Sequence, residues 1–288
     1  MGTEKNIVKI VKNKLHIKPK KRLGQNFIFD KNILYKIAGF IEPIKGYLVI
    51  EIGPGLGGLS KALIKKNPKH IILIEKDYDL KKILFDIKKE FINIDIKIIF
   101  DDFLKVELNK IDIYKKNKVK YISNLPYYIA TQILTKIIPF EENVKEAIFM
   151  FQKEVAKRLL AQPNNKSYSK LSVVVQHACK IKNLYNLKSN VFYPKPEVDS
   201  CLLSFLPKNN IKMEVCYAVK KITNLAFQKR RKTIKNSLAS MKGINELLEK
   251  LDINPDSRAE NITVEEYTKL ANLALKKKLI QYLPDKIT

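Results

Sequence analysis

Four of the chain's nine glycines, Gly53, Gly55, Gly57 and Gly58, fall within six positions. They stand directly behind the apolar run Tyr47–Ile52 and ahead of the helical period of Leu59–Lys66. Glycine admits positive φ and lets a ligand approach the main chain closely. A strand, a glycine turn and a helix in that order point to a βα unit that presents a helix N-terminus at the edge of a sheet.

The neighbouring pattern repeats the unit. Before it, Ile33, Leu34, Ile37 and Phe40 share a helical face, with Asp30 placed as N-cap. After it, strands are expected at Ile71–Glu75, Ile96–Phe100, Lys118–Ser123 and Ala147–Phe151, and helices at Tyr78–Phe91 and Ala130–Ile138. Such alternation implies an α/β domain, a parallel sheet with helices on both faces. A helix to about Ala161, the polar loop Gln162–Lys170 and an apolar helix Leu171–Ala178 follow. Two further strands, Ile181–Leu187 and Cys201–Leu206, flank a turn with Pro194 and Pro196 and end the sheet as a hairpin-like pair. Beyond Pro207 the period is helical only, with helices expected at Val215–Phe227, Lys229–Met241, Ile244–Leu251 and Val264–Lys277. Thr263 and Glu266 form a capping box for the last. The expected division is a basic arm over 1–20, a Rossmann-like domain over 21–207 and a small all-helical domain over 208–288.

Composition narrows the partner. Fifty-five Lys and Arg against 29 Asp and Glu give a net charge of +26, which favours a polyanion such as nucleic acid. Only five of the basic residues are Arg, so a general bias toward Lys, Ile and Asn is the competing explanation. His16, His70 and His177 lie far apart, and Cys179, Cys201 and Cys216 fit no paired zinc spacing. Neither a metal site nor a His-dependent triad is expected. The longest apolar runs fall short of the ~18–20 residues of a membrane span, and no apolar signal core follows the basic start. A cytoplasmic protein with no membrane partner is expected.

Within Glu51-Ile52-Gly53-Pro54-Gly55-Leu56-Gly57-Gly58, the glycines fit G-x-G-x-x-G, a dinucleotide fingerprint. The same stretch is Glu-x-Gly-x-Gly-x-Gly, the first motif of S-adenosylmethionine-dependent methyltransferases. Glu75, 22 residues after Gly53 at a strand end, suits the two ribose hydroxyls of an adenosine moiety. Asp102 follows the third strand, where such folds place an acid against the adenine amine; adjacent Asp101 leaves the register open by one. The fourth strand ends in Ser123-Asn124-Leu125-Pro126-Tyr127-Tyr128. Methyl transfer to an exocyclic amine requires acceptors for both N–H groups, because the lone pair is delocalised into the ring. The Asn124 side-chain oxygen and the Leu125 or Pro126 carbonyl suit that task, and Tyr127 offers a flat face for a flipped base.

At these residues the chain resembles the KsgA-type ribosomal RNA adenine dimethyltransferases, from about residue 20 to the end. Lys21-Arg22-Leu23-Gly24-Gln25-Asn26-Phe27-Ile28 is similar to the family's opening motif, with Ile28 where Leu is commoner. Glu51–Gly57 matches its cofactor loop and Asn124–Tyr127 its catalytic loop. Phe192–Ser200 resembles its Pro-rich loop, and Ala226–Leu238 the signature of its helical domain. The resemblance implies that Asn26, Ile28, Gly53, Gly55, Glu75, Asp102 and Asn124 contact S-adenosylmethionine, with S-adenosylhomocysteine as product and no metal. It implies a catalytic set of Asn124, Leu125, Pro126 and Tyr127, with Phe192 as second aromatic wall; a hydrophobic plug is the alternative for Phe192. The run Lys229, Arg230, Arg231 and Lys232 is expected to meet RNA phosphates, or else to serve a structural role. The implied activity is dimethylation of two adjacent adenines in the 3'-terminal hairpin of small-subunit (16S) rRNA during ribosome biogenesis, by a monomer acting on an immature small subunit. The alternatives are a resistance methyltransferase of large-subunit RNA, an NAD-dependent dehydrogenase, and an assembly factor whose main output is binding.

Overall fold

In the computed structural model, which describes residues 19–229 and 231–282, Leu48–Ile52 (β1) is buried at every position. A central parallel strand covered by helices on both faces must be so. It is flanked by His70–Glu75 (β2) and Val119–Ser123 (β4), both parallel to it. Asp95–Phe100 (β3) pairs with β2, and Val144–Gln152 (β5) pairs with β4, again in parallel. Ser200–Pro207 (β7) joins β5 antiparallel, with Phe149 opposite Leu203, and Cys179–Leu187 (β6) lies outside it. The order is β3-β2-β1-β4-β5-β7-β6. The last two strands are neighbours that follow the parallel set, with the later one on the inside.

Strand order reverses between β1 and β4, and crevices outside the carboxyl ends at such a point are where α/β sheets bind ligands. The register sends Gly53, Glu75 and Asn124 out of the same edge: Ile52 is opposite Ile74, and Glu51 is opposite Ile122. Apolar side chains of β1, β2 and the helices Lys31–Phe40 and Gly58–Ile64 form one continuous core beneath that edge. Asp30 caps the first of these helices as expected, accepting from the Asn32 N–H at 2.8 Å. A two-residue antiparallel ribbon, Phe27–Ile28 with Phe192–Tyr193, lies apart from the main sheet.

By contacts the described residues divide into two units: those from 19 to 137 with 141–153 and 182–206, and residues 138–140 with 154–181 and those from 207 to 282. The expected first domain, 21–207, thus contains a helical stretch that groups with the second unit. Ala161, Tyr168 and Val173 explain this, because they are buried in the same core as Ile222, Leu247 and Tyr267. The Thr263 capping box forms, with the Thr263 N–H on Glu266 Oε2 at 2.7 Å.

The helix expected over Lys229–Met241 does not form. The preceding helix ends at Gln228, and the next is the short Ile234–Ser237. Thr233 takes extended backbone as its N-cap and bridges to Arg258, while the Ile234 N–H donates to the Ser257 carbonyl at 2.6 Å. Those bonds to the 257–258 segment draw the chain out of helical continuation.

Candidate active site

A cleft of about 690 Å³ opens at the carboxyl ends of the strands. Its floor is the glycine turn. Gly53, Gly55 and Gly57 all have positive φ, at 66°, 57° and 73°. A Cβ on Gly53 would meet nothing within 4 Å, so its backbone faces open space in the cleft. A Cβ on Gly57 would lie 2.0 Å from Ile87, so that glycine serves packing. The turn therefore carries one glycine for approach by a ligand and another for seating the helix.

Glu75 is buried at the end of β2. Its Oε2 accepts from the Gly55 N–H at 3.0 Å and its Oε1 from the Asp77 N–H at 2.7 Å. A carboxylate has about four acceptor sites, so two remain for a ligand. Burial raises its pKa above the usual carboxylate value, against the opposing pull of those N–H bonds. Glu51 lies in the same cleft wall, 2 % exposed. Its Oε2 is buried without a partner, and burial, assisted by the Glu75 charge and opposed by the Ser60 hydroxyl, pushes its pKa up to about 8. The glycine motif begins with this acid, which is the signal by which it is recognisable as part of the site.

Asp102 and Asp101 both line the cleft. Asp102 is the anchored one: Leu104 N–H donates to its Oδ1 at 3.0 Å and Lys76 Nζ to its Oδ2 at 2.8 Å. Burial alone would raise its pKa, but Lys76 and the Leu104 N–H together hold it below the usual value. Asp101 turns back onto the Asp102 N–H at 2.7 Å.

Asn124 leaves the end of β4 with its amide oriented. Its Nδ2 donates to the Asn26 carbonyl at 2.9 Å, which leaves Oδ1 as a free acceptor. The Pro126 carbonyl accepts from the Ile129 N–H at 3.1 Å, so the Leu125 carbonyl is the less engaged of the two backbone candidates. Asn26 and Ile28 reach the cleft from the segment after Leu23.

Two aromatic expectations change. Phe192 does not line the cleft; it is 4 % exposed and packed in the core, because the ribbon sets it opposite Ile28. Tyr127 is half-buried with its hydroxyl 2.6 Å from Ser200 Oγ, while the neighbouring Tyr128, 55 % exposed, lines the cleft and packs on Gly24. In the second unit, Lys229, Arg231 and Lys232 are exposed in a turn closed by the Lys232 N–H on the Lys229 carbonyl at 2.9 Å. Arg230 lies outside the described residues.

Comparison with known proteins gives a consistent result. The family model described as ribosomal RNA adenine dimethylase matches residues 16–276. The protein called Ribosomal RNA small subunit methyltransferase A of Ehrlichia canis is 39% identical over 261 residues, covering 89% of this chain and 97% of its own length. Its namesake of Blochmanniella pennsylvanica is 37% identical, covering 88% and 94%. Among solved structures, a dimethyladenosine transferase from Plasmodium falciparum is similar at a TM-score of 0.71 and 24% identity, over 88% of this chain and 98% of that one. The 23S rRNA methyltransferase ErmE is similar at 0.64 and 20%, over 85% and 98%. At those identities the two structures attest the fold, a Rossmann-like methyltransferase domain with a helical addition.

Proposed function

The chain belongs to the ribosomal RNA adenine dimethylase family, and from that premise we propose that it dimethylates two adjacent adenines in the 3'-terminal hairpin of small-subunit rRNA. The observation that carries the reading is the Asn124 amide, fixed by Asn26 so that Oδ1 points away from its own hydrogen bond. With the Leu125 carbonyl it offers acceptors for both N–H groups of an exocyclic amine. Holding both hydrogens favours the pyramidal amine, whose lone pair is no longer shared with the ring. Positioning and this local electrostatics are the catalytic contribution of the chain. Tyr128 at the cleft wall offers a flat face against which an extruded base is stacked.

The donor is S-adenosylmethionine, and the residues that line the cleft fit it. Glu75 has acceptor sites left for two ribose hydroxyls, and Asp102 is held with an edge in the cleft for the adenine amine. Gly53 leaves room for close approach to the backbone, beside Gly55, Asn26 and Ile28. The unpartnered Glu51 oxygen suits a positive group. When bound, S-adenosylmethionine supplies an electrophilic methyl group on a cationic sulfur.

The relatives' names favour the small subunit over the large one as substrate, and family membership leaves the dehydrogenase without support. The net charge of +26 and the exposed Lys229, Arg231 and Lys232 support contact with RNA phosphates. Among the described residues no helix is long and apolar enough to cross a membrane. We take the working form to be a cytoplasmic monomer acting on an immature small subunit. Incubation with labelled S-adenosylmethionine and undermethylated small subunits, followed by mapping, tests this. Label on two neighbouring adenines near the 3' end is expected; label confined to large-subunit RNA, or none on adenine, would overturn it.

A further inference from the structure

Asp77 stands two residues beyond Glu75, is 3 % exposed and does not line the cleft. The segment before the cleft nevertheless converges on it. Its Oδ1 accepts from the Lys20 ammonium at 2.5 Å and from the Asp79 N–H at 3.2 Å, and its Oδ2 from the Gln25 amide at 2.7 Å. Its own N–H donates to Glu75 Oε1. Gln25 in turn accepts from the Lys20 N–H at 2.8 Å, and Lys20 also reaches Asp79 at 2.5 Å. One residue on, the Asn26 carbonyl holds the Asn124 amide. A hydrogen-bonded path thus runs from Asn124 through residues 25–26 and Asp77 to Glu75.

Exposed ion pairs contribute little by themselves. A buried carboxylate is different, because it requires partners wherever the chain places it. Those partners are Lys20 and Gln25, which belong to the segment that brings Asn26 and Ile28 to the cleft. We infer that Asp77 is a positioning residue for the cofactor: it pins the 20–28 segment over the cleft and fixes the turn that aims Glu75, without touching the ligand. The inference rests on the reading of Glu75 as a cofactor contact.

Titration of the full-length protein with S-adenosylhomocysteine tests it, with Glu75→Ala as the reference variant. Asp77→Asn is expected to weaken binding about tenfold and Lys20→Met about threefold, whereas Lys20→Arg stays near wild type. The double variant should bind no more weakly than Asp77→Asn alone, since both changes break one contact. In turnover, KM for S-adenosylmethionine should rise in step, and kcat at saturation should fall by a smaller factor, because the same segment carries the Asn26 carbonyl that holds Asn124. Raising salt from about 50 to about 500 mM should weaken wild type and leave Lys20→Met unmoved. If Asp77→Asn does not fold, Lys20→Met and Lys20→Arg carry the test, because Lys20 is solvent-accessible. Wild-type affinity in Asp77→Asn and Lys20→Met beside a weakened Glu75→Ala overturns the inference, as does a double variant equal to the product of the singles. An unaffected Glu75→Ala instead removes the cofactor reading beneath it.

Discussion

At the amino ends of the parallel strands the buried Lys120 is surrounded by partners, whereas at their carboxyl ends the buried Glu51 has an oxygen with none. Lys120 Nζ donates to the Ile41 carbonyl at 2.9 Å and to Glu146 at 3.3 Å, and lies 5.0 Å over the Tyr47 ring. The other Glu146 oxygen takes the Ser204 hydroxyl at 2.7 Å. Glu51 Oε2 is buried and has no hydrogen-bond partner among the described residues. An unpaired buried polar atom costs stability, and a ligand that supplies the partner recovers that cost. Of these two buried charged groups, Lys120 is completed by the chain, and on the function proposed above Glu51 is completed by a ligand.

The comparison is open to breaking. Asn124→Ala should reduce methyl transfer by about a hundredfold or more while largely keeping RNA affinity, as single-residue rate assays beside a binding assay would show. Near-normal turnover in that variant would move the chemistry elsewhere. Glu75→Ala should weaken S-adenosylmethionine binding by about 1.5–3 kcal/mol for each ribose bond lost, read by calorimetry, with the domain still folded. At the opposite end the pattern should invert. Lys120→Met, by leaving the part-buried Glu146 with only the Ser204 hydroxyl, should cost about 1–3 kcal/mol of stability in chemical denaturation and leave cofactor affinity alone. A loss of affinity there would mean that the two ends are not separable. The smallest effect is expected in the second unit. Replacing Arg230 and Arg231 by Ala should flatten the log–log salt slope of RNA binding by about 0.7–0.9 per lost phosphate contact, with cofactor affinity unchanged.

Much of the finished end was legible in the residue pattern. The apolar runs at 48–52, 71–75 and 119–123 have no alternation because both faces are covered, and this fixes a parallel sheet. The Gly53–Gly58 turn and the Asn124–Tyr127 loop are local in sequence, so spacing alone identifies them. What stayed hidden depends on partners distant in sequence. Thr233 ends the expected helix by bonding near Ser257 and Arg258, which no window around Arg231 contains. Phe192 is buried by its pairing with Ile28, far along the chain, so its neighbours in sequence do not decide between an aromatic wall and a hydrophobic plug. Asp77 took its role from Lys20 and Gln25, and without them it resembles any turn carboxylate. The burial of 154–181 with the second unit likewise depends on Tyr267 and its neighbours.

The claim that the carboxyl end awaits a cation rests most directly on Glu51. With its folded value raised to about 8 from an ordinary 4.5, the unliganded protein holds a proton there at pH 7. That contribution to stability is fully present below about pH 4.5 and is lost as pH rises through about 8. A cationic cofactor favours the ionised carboxylate, so binding at pH 7 must expel the proton. Calorimetric titration with S-adenosylmethionine in buffers of different ionisation enthalpy measures that release. The account predicts about one proton released by wild type at pH 7, fading above about pH 8, and a clearly smaller release by Glu51→Gln. Equal release from the two proteins, or none from wild type, would contradict it.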